Sequence, residues 1–201
     1  MDRGADIERR SFEIIDSELK GKGFTESELP IVMRVIHATA DFDFESNLRF
    51  HPEAVEEGVK ALKSGKNILV DVNMVASGIN RRLLRRFGGD IISRISEVGG
   101  DAIKEGKTRA ERAIEDAVDE NIGIVAVGNA PTALFKVMEL IDEGMLRPDL
   151  VIGVPVGFVN AVESKDVLLA KPYPFITCVG RKGGSSVAVA IVNGILRLLE
   201  G

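Results

Sequence analysis

Arg34, His37 and Asp41 stand three and four residues apart in the stretch Pro30–Phe44, PIVMRVIHATADFDF. On a helix those intervals put all three on one face. An unperturbed imidazole titrates near 6.5, so it gives or takes a proton close to neutrality. A guanidinium can hold a carboxylate in a two-pronged grip. An aspartate beside the ring could orient it or raise its pKa. One reading is therefore proton transfer on a bound anion. The other is a satisfied core histidine with a helix-terminal Arg–Asp pair, because structural ion pairs also perturb titration. The apolar residues Ile31, Val32, Val35, Ile36 and Ala38 occupy most of the remaining positions, which predicts a helix buried on several sides.

Several elements must position that face. Asp6–Lys20 reads as an amphipathic helix ending at Gly21, with Ser11 at mid-helix beside Phe12. Ser27 is the expected cap of the His37 helix, with Pro30 in its first turn. That helix should fade by Asp41, and the alternation Asp41-Phe42-Asp43-Phe44 reads as extended. The second histidine, His51, precedes Pro52 and reads as the structural start of a helix to Lys63. Asn67–Val72, Ile122–Val127, Leu150–Val154 and Phe175–Val179 are apolar runs typical of parallel strands covered on both faces, with Asp90–Ile95 a weaker candidate. Helices are expected between them over Thr108–Glu120 (with a Thr108/Glu111 capping box), Pro131–Glu143, Gly157–Leu169 and Ser185–Leu199. This alternation predicts an α/β fold, a three-layer α/β/α domain spanning 1–201 with a mainly parallel, roughly five-stranded sheet.

In such a sheet ligands bind beyond the carboxyl ends of the strands. Three strand candidates end there in glycine-containing turns: Gly128-Asn129-Ala130-Pro131-Thr132, Gly153-Val154-Pro155-Val156-Gly157 and Gly180-Arg181-Lys182-Gly183-Gly184-Ser185. Glycine allows close backbone approach, and the following helix starts could offer free amides to anions. Arg109, Lys165, Arg181 and Lys182 gather near these turns, so the expected ligand carries several carboxylates or phosphates. None of the turns is a dinucleotide or P-loop motif, which disfavours a nucleotide-dependent enzyme.

Composition narrows the classes further. A formal net charge of −5 over 201 residues supplies no basic field for nucleic acid. The single cysteine, Cys178, excludes an intrachain disulfide framework and cysteine-based metal clusters, and reads as a small apolar residue in a strand. The charged N-terminus MDRGADIERR is not a signal peptide, and no apolar run reaches membrane-span length, so the cytoplasm is the expected compartment.

RVIHATAD, DVNMVASGI, TRA, VGNAPTALF, GVPVGFVNAVESK and GRKGGS resemble, in this order and spacing, the precorrin-8X methylmutase family of cobalamin biosynthesis. The resemblance extends from Ser11 to about Asn193. It implies a homodimeric three-layer α/β/α enzyme that moves a methyl group from ring carbon eleven to ring carbon twelve of a corrinoid. The shift is intramolecular and needs no methyl donor, nucleotide or metal cofactor. The resemblance makes His37 the catalytic residue and Ser11 and Arg34 substrate contacts. Gly128, Asn129, Thr132, Arg181, Lys182 and Ser185 are expected at the substrate's rim. Some members read HACG after the histidine, so help from Asp41 is an inference from its position alone. HATADFDF and the short chain favour the cobalt form of the substrate. A non-catalytic corrinoid carrier is the rival reading, against which the intact His37 speaks.

Overall fold

The computed structural model describes residues 3–20, 23–99, 106–118 and 120–200. In chain order the helices are α1 (Arg3–Glu18), α2 (Leu29–Thr39), α3 (Asp43–Asn47), α4 (Ala54–Lys63), α5 (Asn73–Gly78), α6 (Arg81–Arg86), α7 (Arg109–Glu115), α8 (Pro131–Asp142), α9 (Ala161–Leu169) and α10 (Ser185–Arg197). The strands are β1 (Leu48–Phe50), β2 (Asn67–Val70), β3 (Ile91–Ile92), β4 (Ile122–Val127), β5 (Leu150–Gly153) and β6 (Phe175–Cys178). Among the described residues the six strands form one sheet in the order β1-β6-β5-β4-β2-β3. Every pairing is parallel except β1 with β6, where Leu48 lies opposite Cys178.

The apolar runs are continuous because both sheet faces are covered. Successive side chains of a strand point to opposite faces. Ile124 and Ala126 of β4 join one core with Ile31 and Val35 of α2 and Ile191 of α10. Val125 and Val127 join the other, with Ile114 of α7, Leu134 of α8 and Leu168 of α9. The chain runs from β2 outward to β3 and then returns to the other side of β2 for β4. The strand order therefore reverses between β2 and β4, where open sheets place their crevice.

Several expectations change. The sheet has six strands rather than five; β1 is three residues long and gave no run to read. The short helices α5 and α6 were not expected, although Asn80 caps α6 by accepting from the Leu83 amide at 3.1 Å. Asp41–Phe44 is not extended: Asp41 Oδ1 accepts the Asp43 amide at 3.0 Å and a turn opens into α3. Ser27 does not cap α2. Thr25 and Glu28 bond reciprocally instead, each side chain accepting from the other's amide, at 3.3 and 2.8 Å. The expected α9 start at Gly157 moves to Ala161, because Asn160 adopts a left-handed φ of 63°. The Asp90–Ile95 strand shrinks to Ile91–Ile92, and the helix from Thr108 stops at Glu115 with its capping box formed. The expected helix end at Gly21 lies outside the described residues. No helix among the described residues is long and apolar enough to cross a membrane.

Candidate active site

Helix α2 buries one stripe, Ile31, Val32, Val35 and Ile36, against α10 and the sheet. His37 and Ala38 on the other side are exposed, so the helix is not buried on several sides and His37 is not a core histidine. Its imidazole stacks on Phe12 of α1, with centroids 5.0 Å apart and planes 10° from parallel. The Arg34 guanidinium lies 5.3 Å from the centre of the same ring. Phe12 is thus the surface that sets the positions of both groups. The sequence signal for it was its place next to Ser11, on the α1 face that meets α2.

A cleft of about 280 Å³ opens beside the imidazole, lined by Ser11, Ile14, Ile15, Ile36, His37, Ala40 and Phe42. The Ser11 hydroxyl, which lines the cleft, donates to the Ile7 carbonyl at 2.9 Å and keeps its capacity to accept. Arg34 is half-buried. Glu8 Oε1 accepts from Arg34 Nη2 at 3.4 Å and from Arg197 Nη2 at 3.0 Å. Burial and the nearby Arg197 charge lower the Arg34 pKa, and Glu8 opposes them. Two guanidiniums converging on one carboxylate oxygen form an anion site that the chain itself occupies.

Asp41 does not turn to the imidazole. Its Oδ2 accepts from Lys182 Nζ at 2.6 Å, and Asp43 Oδ2 accepts from the same ammonium at 2.6 Å. The hydrogen bond from Lys182 holds the Asp41 carboxyl below the ordinary carboxylate range, and the two aspartates raise Lys182. A depressed carboxylate keeps its stabilising effect above its ordinary pKa of 3.8 and loses it only as pH falls through the lower folded value. The clamp therefore stays closed near neutrality. It ties the end of α2 to the turn between β6 and α10, bringing Lys182 close to the His37 helix.

That turn is packed from below. Lys165 of α9 is wholly buried and donates to the Lys182 carbonyl at 2.7 Å, with Cys178 Sγ 3.8 Å from the same nitrogen. Burial lowers the Lys165 pKa and raises that of Cys178. Lys165, expected among the cations gathered near the turns to meet an anionic ligand, is instead a buried support for the turn. Arg109 donates to the Ile95 carbonyl at 2.8 Å. Gly183, at φ 147°, has no room for a side chain because a Cβ would overlap the Val154 carbonyl. Cys178 is buried in β6, as expected.

The turn after β4 differs from expectation in one respect. Its amides are not open to a ligand. Asp71, at the end of β2, accepts from the amides of Gly128, Asn129 and Ala130 at 3.1, 2.8 and 2.8 Å. Burial raises the Asp71 pKa while the three amides pull it down. The protein's own carboxylate fills the anion position at the strand-order reversal. A Cβ on Gly128 would stand 2.9 Å from the Ser185 Cα, so this turn abuts the start of α10. Ser185 is buried there. Thr132 Oγ1 is 2.9 Å from Thr108 Oγ1, which joins the starts of α8 and α7. Arg181 is exposed, with its guanidinium 5.3 Å from the centre of the Phe158 ring. Ser11, Arg34 and His37 therefore form one group on α1 and α2, Gly128, Asn129 and Ser185 a second, and Lys182 links the first to the sheet edge.

The model of the precorrin-8X methylmutase family matches residues 6–198. The chain belongs to the precorrin-8X methylmutase family. It is 48% identical over 199 residues to a cobalt-precorrin-8 methylmutase of Priestia megaterium, covering 96% of this chain and 88% of that one. It is 39% identical over 197 residues to a precorrin-8X methylmutase of Pseudomonas aeruginosa, covering 96% and 94%. A solved precorrin-8X methyl mutase from Thermus thermophilus superposes with a TM-score of 0.89 at 44% identity, covering 97% and 96%. Family membership makes the protein a methyl-shift isomerase and does not favour the carrier reading.

Proposed function

We propose that the protein moves a methyl group from ring carbon eleven to ring carbon twelve of cobalt-precorrin-8, with His37 handling the deciding proton. The observation that carries this is the exposed imidazole at the lip of the Ser11 cleft, held flat on Phe12 beside Arg34, in a chain of this family. A methyl shift around a conjugated macrocycle needs one tautomer of the ring. A positioned acid or base can select that tautomer by adding or removing one proton. Among the described residues no protein group hydrogen-bonds the His37 ring nitrogens, which leaves both to the substrate.

The macrocycle must also be held in one orientation, because proton transfer works only within hydrogen-bond reach. Arg34 is proposed to take an acetate or propionate arm by displacing Glu8, with Ser11 accepting or donating at the same edge. Asn129, Thr132, Arg181, Lys182 and Ser185 are proposed rim contacts, whereas Gly128, buried with its amide on Asp71, shapes the turn behind them. Asn129 acts through its side chain, since Asp71 occupies its amide. The cobalt form is preferred because the relatives at 48%, 42% and 43% identity carry the cobalt name. The whole chain is proposed to act as a single domain in a homodimer, sedimenting as two copies at micromolar concentration.

The test is turnover of both substrate forms, read by the absorption change to the corrin product. The cobalt form should be converted faster; exclusive conversion of the metal-free form would reverse the assignment. Arg34→Ala should weaken corrin product binding. A charge-assisted contact is worth roughly 1.5–3 kcal/mol, so affinity should fall about ten- to a hundred-fold. Lysine should restore only part of it, lacking the planar fork. Unchanged affinity on titration would make Arg34 a partner of Glu8 and nothing more.

A further inference from the structure

The connection from β5 to α9 exposes three large apolar side chains within four residues. Val156 is 46%, Phe158 83% and Val159 77% exposed. Such side chains gain by leaving water, and a cluster of them on a surface marks a binding site. The segment is built into the fold. Pro155 and Val154 are buried, the Gly157 amide donates to the Arg181 carbonyl at 3.2 Å, and the Gly184 amide donates to the Val154 carbonyl at 2.8 Å. The apolar tip is therefore pinned to the turn that follows β6.

The same turn sends two cations in different directions. Arg181 covers one side of the Phe158 ring, and Lys182 reaches Asp41 at the end of the His37 helix. An open aromatic face, a guanidinium over the opposite face and the link to α2 thus meet at the carboxyl end of the sheet. A flat conjugated ring with anionic arms has the matching form: apolar faces and a negative rim. A peptide or a nucleic acid strand does not present that combination as one rigid disc.

We propose that Phe158, flanked by Val156 and Val159, is a shelf that receives the flat face of the macrocycle, with Arg181 taking one of its carboxylate arms. The proposal rests on the isomerase reading and adds the residues that hold the ring's face. Stacking against an aromatic side chain takes the flat face of the ring out of water and so adds to its binding, while Arg34 and Ser11 at the reacting edge set its register against His37.

Phe158→Ala removes an exposed side chain, so the melting temperature should stay within a degree or two of wild type. KM should rise about tenfold or more with kcat changed less than about threefold. Phe158→Tyr should keep wild-type KM. The chain contains no tryptophan, so Phe158→Trp supplies a single reporter. Its bimolecular acrylamide quenching constant, taken from lifetimes, should be high in the free protein and fall several-fold with saturating corrin product. An unchanged KM in Phe158→Ala, or an unchanged quenching constant, overturns the shelf. A reporter already protected without product, and exposed on dilution, also overturns it and assigns the patch to a second copy. Failure of the isomerase reading shows differently: wild-type protein would then convert neither substrate form.

Discussion

His37→Ala should lose at least about a hundred-fold in methyl-shift rate while binding corrin product nearly as well as wild type. A positioned acid or base contributes roughly 10²- to 10⁴-fold. The grips for the carboxylate arms lie elsewhere, at Arg34 and the sheet-edge turns, so losing one ring contact should cost on the order of 1 kcal/mol, about fivefold in affinity. Folding should survive because the ring is exposed. Its stacking on Phe12 is worth about 0.5–1.5 kcal/mol, a shift of a few degrees in melting temperature. Rate and affinity are measured on the same preparation. Equal losses in both would make His37 a binding residue, and the proton would have to come from another group.

Asp71→Ala should be the most damaging substitution for stability in the region of the site. It strands the amides of Gly128, Asn129 and Ala130 at the strand-order reversal. Each buried unsatisfied donor costs about 1–3 kcal/mol, and only the Gly128 amide is fully shut off from water. Relief of the buried carboxylate offsets part of the loss. The net expectation is about 3 kcal/mol, or a fall of about 6–12 °C in melting temperature for a chain of this size. Asp71→Asn should fall between, since an amide oxygen still accepts but its NH₂ faces donors. A melting temperature within two degrees of wild type in the alanine variant would show that the turn does not depend on this carboxylate.

The layers and most strands were legible because β4, β5 and β6 are apolar at every position but Thr177, and only a sheet covered on both faces makes that favourable. Leu48–Phe50 was not legible, since three residues at a sheet edge carry no period and the pairing with β6 is decided by distant chain. Within the site, the spacing of Arg34 and His37 was a reliable sign of a shared face, because helix geometry is local. The same spacing misled for Asp41. It lies past the left-handed Ala40, and Lys182, which takes its carboxylate, is 141 residues away in sequence. Ion-pair partners of that kind follow from topology, which local sequence does not encode. Lys165 shows the same limit: as a charged residue near a glycine turn it reads as a surface cation, yet the fold places it wholly inside. Asp71 left a sign, an aspartate closing an apolar strand, but its three amide partners could be found only once β4 lay beside β2.

Movement of the methyl group within one macrocycle is distinguished from transfer between molecules by an isotope crossover experiment. Substrate carrying both a carbon-13 methyl at ring carbon eleven and deuterium on the macrocycle is mixed with unlabelled substrate and purified protein, with no methyl donor in the buffer, and the product is read by NMR and mass spectrometry. The full carbon-13 label should appear at ring carbon twelve, always on the deuterated macrocycle, at the rate of colour change, with that signal slowed at least about a hundred-fold in His37→Ala. A label that stays at carbon eleven, or a carbon-13 methyl found on macrocycles without deuterium, would show that the methyl group does not move within one molecule.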